Sequence, residues 1–223
     1  MGDISIFDII GPRMVGPSSS HTAGANRLGR MARKIARARI ETVEIHVHGS
    51  FSKTLKGHGT HRAVVAGLLG IREDDEALKC AFRLAKETNM IYSFHEIDLG
   101  EVHPNTVKFV MRTSSNEEVT VVGSSTGGGG IIIVEIDGLK VKFTGLYPTL
   151  ITRHQDHPGV IHRVTEVLAD EKINVAFMSV YRQDKGDQAF MVIESDDGIP
   201  EAIVEKLKQS VELLEDVFVI EGV

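Results

Sequence analysis

Cysteine is all but absent: Cys80 is the single one in 223 residues. No disulfide can therefore form within the chain, and no thiolate-rich metal or iron–sulfur site can be built from it alone. Long apolar runs are missing as well. Nowhere do about 18 apolar residues follow one another, so no membrane-spanning helix is expected. The N-terminus has neither the charged start nor the continuous apolar stretch of a secretory signal, which makes a cytoplasmic location the expectation. Positive charge is not in excess either. Lys and Arg number 25 against 31 Asp and Glu, a formal net charge of -6, which argues weakly against a general nucleic-acid or membrane surface. What is present is core material: 42% hydrophobic and 25% charged residues give the balance of an ordinary folded protein. The length suits two modest domains.

The pattern along the chain divides near Tyr147 and Pro148. Before it, "ISIFDIIG" (Ile4 to Gly11) leads into a serine-rich turn. Helical spacing of Leu28, Met31 and Ile35 then predicts a helix over roughly 21–39, with Arg27, Arg30, Lys34 and Arg37 as a basic stripe on its other face. The bland expectation for that stripe is a solvated face, and the alternative is a contact with a subunit or an anionic partner. Val43, Ile45 and Val47 alternate with Glu44, His46 and His48 as in a strand, which puts the histidines on one face. A short buried helix follows in "HRAVVAGLLG", and an amphipathic one in "EDDEALKCAFRLAKETN", acidic residues first. A hairpin around "TSSN" and the apolar strand "IIIVEIDG" complete a mixed α and β half. After Pro148 the order reads β-α-β-β-α-β, the split βαβ or ferredoxin-like arrangement. The fold class expected is α+β, with domains at 1–146 and 148–223.

Four segments are candidates for chemistry. "GPSSSHT" offers the hydroxyls of Ser18, Ser19, Ser20 and Thr22, with His21 among them, at a helix start whose free amides and dipole favour an anion such as a carboxylate. One serine would also serve as an ordinary N-cap. "GHGTH" places His58 and His61 in a glycine-flanked loop, suited to acid–base work or substrate orientation. Zinc bound by these two with His46 and His48 is disfavoured, since the spacings match no standard pattern. "GSSTGGGG" (Gly123 to Gly130) allows backbone amides to approach an anion closely, or is a tight strand connection. "HQDHPGV" (His154 to Val160) joins strand to helix, with Asn174 opening the next strand beside it.

The first three motifs, in that order and at those distances, resemble the β subunit of the bacterial iron–sulfur L-serine dehydratases (L-serine ammonia-lyases). The resemblance covers essentially the whole chain, and the final 75 or so residues resemble an ACT domain. It implies conversion of L-serine to pyruvate and ammonia, a step in amino-acid catabolism that feeds gluconeogenesis. It also implies a cysteine-bearing α subunit that ligates a [4Fe–4S] cluster, whose iron would act on the serine hydroxyl as a Lewis acid. The single cysteine here fits the cluster-free half, with no metal ligand of its own. By the same resemblance Ser18, Ser19, Ser20, Thr22, Thr60 and the Gly127, Gly128 and Gly129 loop bind substrate. His58 and His21 are the candidates for proton transfer or positioning. In the ACT part His154, Asp156, Gly159, Val160 and Asn174 stand in effector-binding places, although asparagine is more usual at Asp156. An acid is more usual at His61. ACT copies pair side by side, so a homodimer is expected. The first domain also resembles the allosteric substrate-binding domain of some phosphoglycerate dehydrogenases. The rival expectation is accordingly an ACT-regulated anion or amino-acid sensor without catalytic residues. A nucleic-acid role through the basic helix is disfavoured by the acidic total.

Overall fold

The serine-rich approach to the first helix is a wide turn of its own. In the computed structural model, which describes residues 11–182 and 184–223, Ser19–Gly24 wind as one π-helical turn that runs directly into α1, Ala25–Ala36. Residues 4–10 of "ISIFDIIG" lie outside the described residues. Helix α1 stops short of the expected residue 39. Arg37 adopts a left-handed φ of 57°, which reverses the chain into β1, Ile40–Val47. Val43, Ile45 and Val47 of β1 are buried, as the alternation requires.

Helices α2 (Gly49–Lys53), α3 (Thr60–Leu68) and α4 (Ala81–Glu87) follow before β2, Ile91–Glu96. The segment read as one amphipathic helix from Glu73 is divided. Asp75 caps a tight 3-10 turn, Glu76–Cys80, by accepting from Ala77 N at 2.8 Å, and Glu73 is left ahead of it. Strand β2 and the five-residue α2 had no sequence signal, because β2 shows no inside–outside alternation and α2 is too short to display a helical period. Strands β3 (Thr106–Thr113), β4 (Glu118–Gly127) and β5 (Gly130–Ile136) complete the sequence β2-β1-β3-β4-β5 across the sheet. Only β1 and β2 run parallel, joined by the crossover through α2, α3 and α4.

Helices α1 and α3 pack backbone against backbone. A Cβ on Gly29 would stand 2.5 Å from Val64 O, and one on Gly67 only 2.1 Å from Asn26 O. The buried Asn26 side chain exploits this approach, donating to Ala63 O at 3.2 Å and Ile71 O at 3.0 Å. The crossing brings the start of α1 and the start of α3 into one neighbourhood.

The chain forms two compact units, one ending at Asp137 and the other Gly138–Val223. The second includes β6 (Leu139–Phe143), so it begins upstream of the Tyr147–Pro148 restart in the sequence. Its remaining elements are β7 (Thr149–Gln155), α5 (Val160–Asp170), β8 (Val175–Arg182), β9 (Gln188–Ser195), α6 (Glu201–Ser210) and β10 (Leu214–Ile220). The four strands β7 to β10 lie in the order β10-β7-β9-β8 with antiparallel neighbours, which realises the βαββαβ expectation. Leu150, Met191, Ile193 and Val217 pack against Val164 and Leu168 of α5 and Ile203 and Leu207 of α6. On the opposite sheet face Glu194 is nearly buried and accepts from Thr144 Oγ1 at 3.3 Å. Burial pushes its carboxyl pKa up.

Gly67→Ala is expected to cost about 2 kcal/mol of unfolding free energy by overpacking the helix crossing. Gly198→Ala, where nothing lies within 4 Å, leaves urea unfolding unchanged. Equal midpoints for the two variants would contradict the close crossing.

Candidate functional site

The serine run and His21 form one hydrogen-bonded cluster. Ser18 accepts from His21 N at 3.2 Å, and Ser18 O accepts from Thr22 N at 2.8 Å, so one residue caps the start of the turn with both its side chain and its carbonyl. The His21 ring is then gripped at both nitrogens. Nδ1 lies 2.9 Å from Ser20 Oγ and 3.5 Å from Ser18 Oγ, while Nε2 lies 3.1 Å from Ser50 Oγ at the start of α2. Phe51 meets the ring edge-on at 5.3 Å between centroids, and the His58 ring stands 5.1 Å away. Burial, reinforced by His58, holds the His21 pKa below its ordinary value. The ring is neutral near pH 7, so one nitrogen donates and the other accepts. Thr22 Oγ1 donates to His58 O at 3.4 Å, linking the turn to the "GHGT" loop.

The structure thus brings together Ser18, Ser20, His21, Thr22 and His58, with Ser50 added. Ser19 faces elsewhere. A Cβ on Gly11 would lie 2.9 Å from Ser19 Cβ and 3.9 Å from Gly128 O, so Ser19 and the glycine loop share that corner. Gly127, Gly128 and Gly129 take φ of 100°, 58° and 85°, three successive left-handed positions that glycine alone adopts cheaply. Thr60 is fully buried at the start of α3, and its Oγ1 has no partner among the described residues.

The basic stripe on α1 is not simply a solvated face. Arg27 Nε donates to Glu73 Oε1 at 2.8 Å and Arg30 Nη1 to Glu73 Oε2 at 3.0 Å, while only 3% of Glu73 is exposed. Arg27 Nη1 also donates to Gly129 O at 3.0 Å. Half of the stripe is therefore internal, turned inward by a buried carboxylate that has to be paired.

Beside His58 opens a cavity of ≈ 330 Å³, bordered by Thr22, Lys56, His58, His61, Arg62 and Lys79 among others. His61 Nδ1 lies 2.9 Å from Leu55 O, and burial lowers its pKa. The strand histidines stay outside this cluster. His46 pairs with Glu44 Oε2 at 3.1 Å and stacks on His95, and His48 Nδ1 accepts from Leu99 N at 3.2 Å. Among the described residues no three His, Cys, Asp or Glu side chains converge as metal ligands.

In the second unit the proposed effector residues do not converge within one chain. His154 is buried at the end of β7, with Thr152 Oγ1 at 3.1 Å from Nδ1, and burial lowers its pKa. Asp156 accepts from Gly186 N at 3.0 Å and from Arg182, which hold its carboxyl below the usual range. Gly159 has φ 95° at the mouth of α5, and Val160 is in the core. Asn174 donates to Asp196 Oδ2 at 2.6 Å. It does not lie beside the His154 to Val160 loop, contrary to the sequence expectation. His154 is level with Ala189 at one end of β9, whereas Val175 is level with Ser195 at the other.

Two descriptions in known families match this chain, "Serine dehydratase beta chain" over residues 5–88 and "ACT domain" over residues 149–212. The protein named "Probable L-serine dehydratase, beta chain" of Bacillus subtilis is 41% identical over 92% of this chain and 93% of its own length. The "L-serine dehydratase, beta chain" of Peptoniphilus asaccharolyticus is 40% identical over 91% and 92%. The chain belongs to the serine dehydratase β-chain family. A D-3-phosphoglycerate dehydrogenase of Methanocaldococcus jannaschii is 30% identical over 88% of this chain but only 37% of its own.

Within this β-chain architecture, sequence reasoning missed Ser50, Glu73 and the cationic side of the cavity. Ser50 carried no signal, since nothing local ties the end of β1 to the first turn. Glu73 could have been found from the charges, because two arginines at i and i+3 on a helix that also buries Leu28 and Met31 need a counter-ion.

Two outcomes follow. Glu73→Gln leaves two largely buried guanidiniums unpaired and should cost about 3 kcal/mol in denaturant unfolding, whereas Asp74→Asn next to it produces no detectable shift. His21 and His154 titrate below the ordinary imidazole value, so unfolding takes up protons below about pH 6.5. Stability is therefore complete above that pH and falls as the pH drops through the folded-state values. Tm recorded between pH 7.5 and 5.5 should decline, and His154→Gln should flatten the decline; an unaltered slope would contradict the buried neutral ring.

Proposed function

We propose that this chain is the β subunit of a two-chain L-serine dehydratase, which converts L-serine to pyruvate and ammonia together with an α subunit that ligates a [4Fe–4S] cluster. The carrying observation is the neutral His21 ring, gripped by Ser20 and Ser50 with His58 beside it, in a chain of β-chain sequence throughout. The donors of this chain do not fit the cluster itself. Cys80 is exposed and is the one thiol available, so the chemistry assigned here is binding, orientation and proton handling.

The reaction removes the serine α-proton and the β-hydroxyl as water, giving aminoacrylate; its imine tautomer takes up water to yield pyruvate and ammonia. A neutral imidazole accepts a proton near pH 7, here through the serine hydroxyl that its lone pair faces. His21 has that protonation state, and its two hydroxyl partners, each able to donate or accept, fix the ring plane. His58, on a glycine-flanked loop at the cavity edge, is the second group for moving a proton. Ser18, Ser20 and Thr22 border the substrate beside His21, Ser19 and the Gly127 to Gly129 loop form the adjoining corner, and the buried Thr60 supports the start of α3 from within. In the ACT unit, His154, Asp156, Gly159 and Val160 of one copy and Asn174 of another compose the effector site. That division requires a homodimer. A cytoplasmic location goes with this reading.

A second reading, a regulatory anion or amino-acid sensor, is favoured by one observation: Ser18, Ser20 and Thr22 already satisfy one another, His21 and His58 within the chain. Reconstitution with the cysteine-bearing chain separates the two. His21→Ala or His58→Ala should lower serine-dependent pyruvate formation by about a hundredfold or more at an unchanged cluster absorbance. Ser50→Ala, which removes only an orienting contact, should cost about tenfold. Full turnover in both histidine variants would leave the sensor reading standing.

A further inference from the structure

The cavity beside His58 is one-sided in charge. Lys56, Arg62 and Lys79 line it together with the imidazoles of His58 and His61, and among the described residues no carboxylate lines it, in a chain whose net charge is -6. Lys79 is answered by Glu76 in an exposed i,i+3 pair. Lys56 and Arg62 enter no ion pair among the described residues. Their charges are felt locally, since after burial both add to the depression of the His61 pKa. The Arg62 guanidinium is also held in place, lying 5.9 Å over the Phe82 ring.

Uncompensated cations facing one small cavity are matched by an anion. The volume of ≈ 330 Å³ is at the small end for ligand sites, which suits a molecule of amino-acid size. Thr22 and His58 border the same space, so a ligand anchored at the cationic side has its other end at His58, whose ring stands 5.1 Å from that of His21. The hydroxyls of Ser18 and Ser20 are meanwhile turned to the His21 ring.

We propose that Lys56 and Arg62 form the carboxylate-binding wall of this cavity, which takes a small α-amino or α-keto carboxylate and directs its reacting end to His58 and His21. In naming serine and pyruvate as ligands the proposal rests on the dehydratase reading; the charge argument does not. It differs from the sequence expectation in giving the carboxylate to cations on the "KGHGTHR" segment instead of to the serine run.

Calorimetric titration of the full chain alone with L-serine, pyruvate and serinol, which is serine without its carboxylate, tests it directly. Serine and pyruvate should bind, and serinol should bind about tenfold or more weakly by comparison. Lys56→Met with Arg62→Met should weaken serine and pyruvate by about tenfold or more, while Lys86→Met, away from the cavity lining, retains wild-type affinity. In the reconstituted enzyme the double variant should raise the serine KM with kcat held within about threefold, the signature of lost uniform binding. Serinol binding as tightly as serine, a double variant equal to wild type, or no binding of serine and pyruvate to the wild-type chain would each overturn the proposal. Carboxylate-dependent binding without pyruvate formation on reconstitution would sustain the site and remove the dehydratase reading, so the two fail separately.

Discussion

The pairing of one buried carboxylate with two arginines holds the first unit in working shape. Glu73 cannot stay charged at 3% exposure without partners, and Arg27 and Arg30 supply them from successive turns of α1. The same residues bind more than each other. Glu73 O accepts from Val15 N at 2.7 Å, just ahead of the serine run, and Arg27 reaches Gly129 O in the glycine loop. Four stretches far apart in sequence, the approach to the serine turn, α1, the loop before the 3-10 turn and the β4–β5 connection, are thereby fixed to one point. The close α1–α3 crossing at Gly29 and Gly67 then brings the "GHGT" loop to the same place.

Around that point the charges are sorted by partner. The Glu73 carboxylate is taken up by Arg27 and Arg30, while the cavity keeps Lys56 and Arg62 beside the His61 imidazole, whose pKa burial lowers. Burial disfavours the protonated form of His61, and the Arg62 and Lys56 charges beside it act in the same direction. An arriving carboxylate changes that sum. It offsets the cations and so raises the proton affinity of the rings next to it, which is the direction a proton-accepting role requires.

Local pattern disclosed most of the elements and little of their assembly. The alternation in β1, the helical spacing in α1 and the βαββαβ order after Pro148 are periodic signals over eight or more residues, and the structure follows them. Residues with short-range partners were legible too: Ser18, Ser20, His21 and Thr22 sit in one turn and cluster there. Ser50 was not, because its contact with His21 spans 29 positions and depends on the crossover between β1 and β2. The basic stripe was misread for a related reason. Periodicity shows which residues share a helix face, but whether that face meets water or a buried acid is decided by a segment more than forty residues on.

The ACT unit shows the same limit in a form that bears on assembly. His154, Asp156 and Asn174 were grouped because each stands at a strand end, and a strand end is all that sequence can place. Since β7 and β8 flank β9 and both run antiparallel to it, they run the same way, so the exit of β7 and the entry of β8 lie at opposite ends of the sheet. Asp156 is held by Arg182 and Gly186 at one end and Asn174 by Asp196 at the other, about a strand length apart. A ligand of amino-acid size cannot span that distance. Any such ligand that touches both must therefore sit between two copies, where the exit of β7 in one meets the entry of β8 in the other, and its affinity would then depend on the dimer.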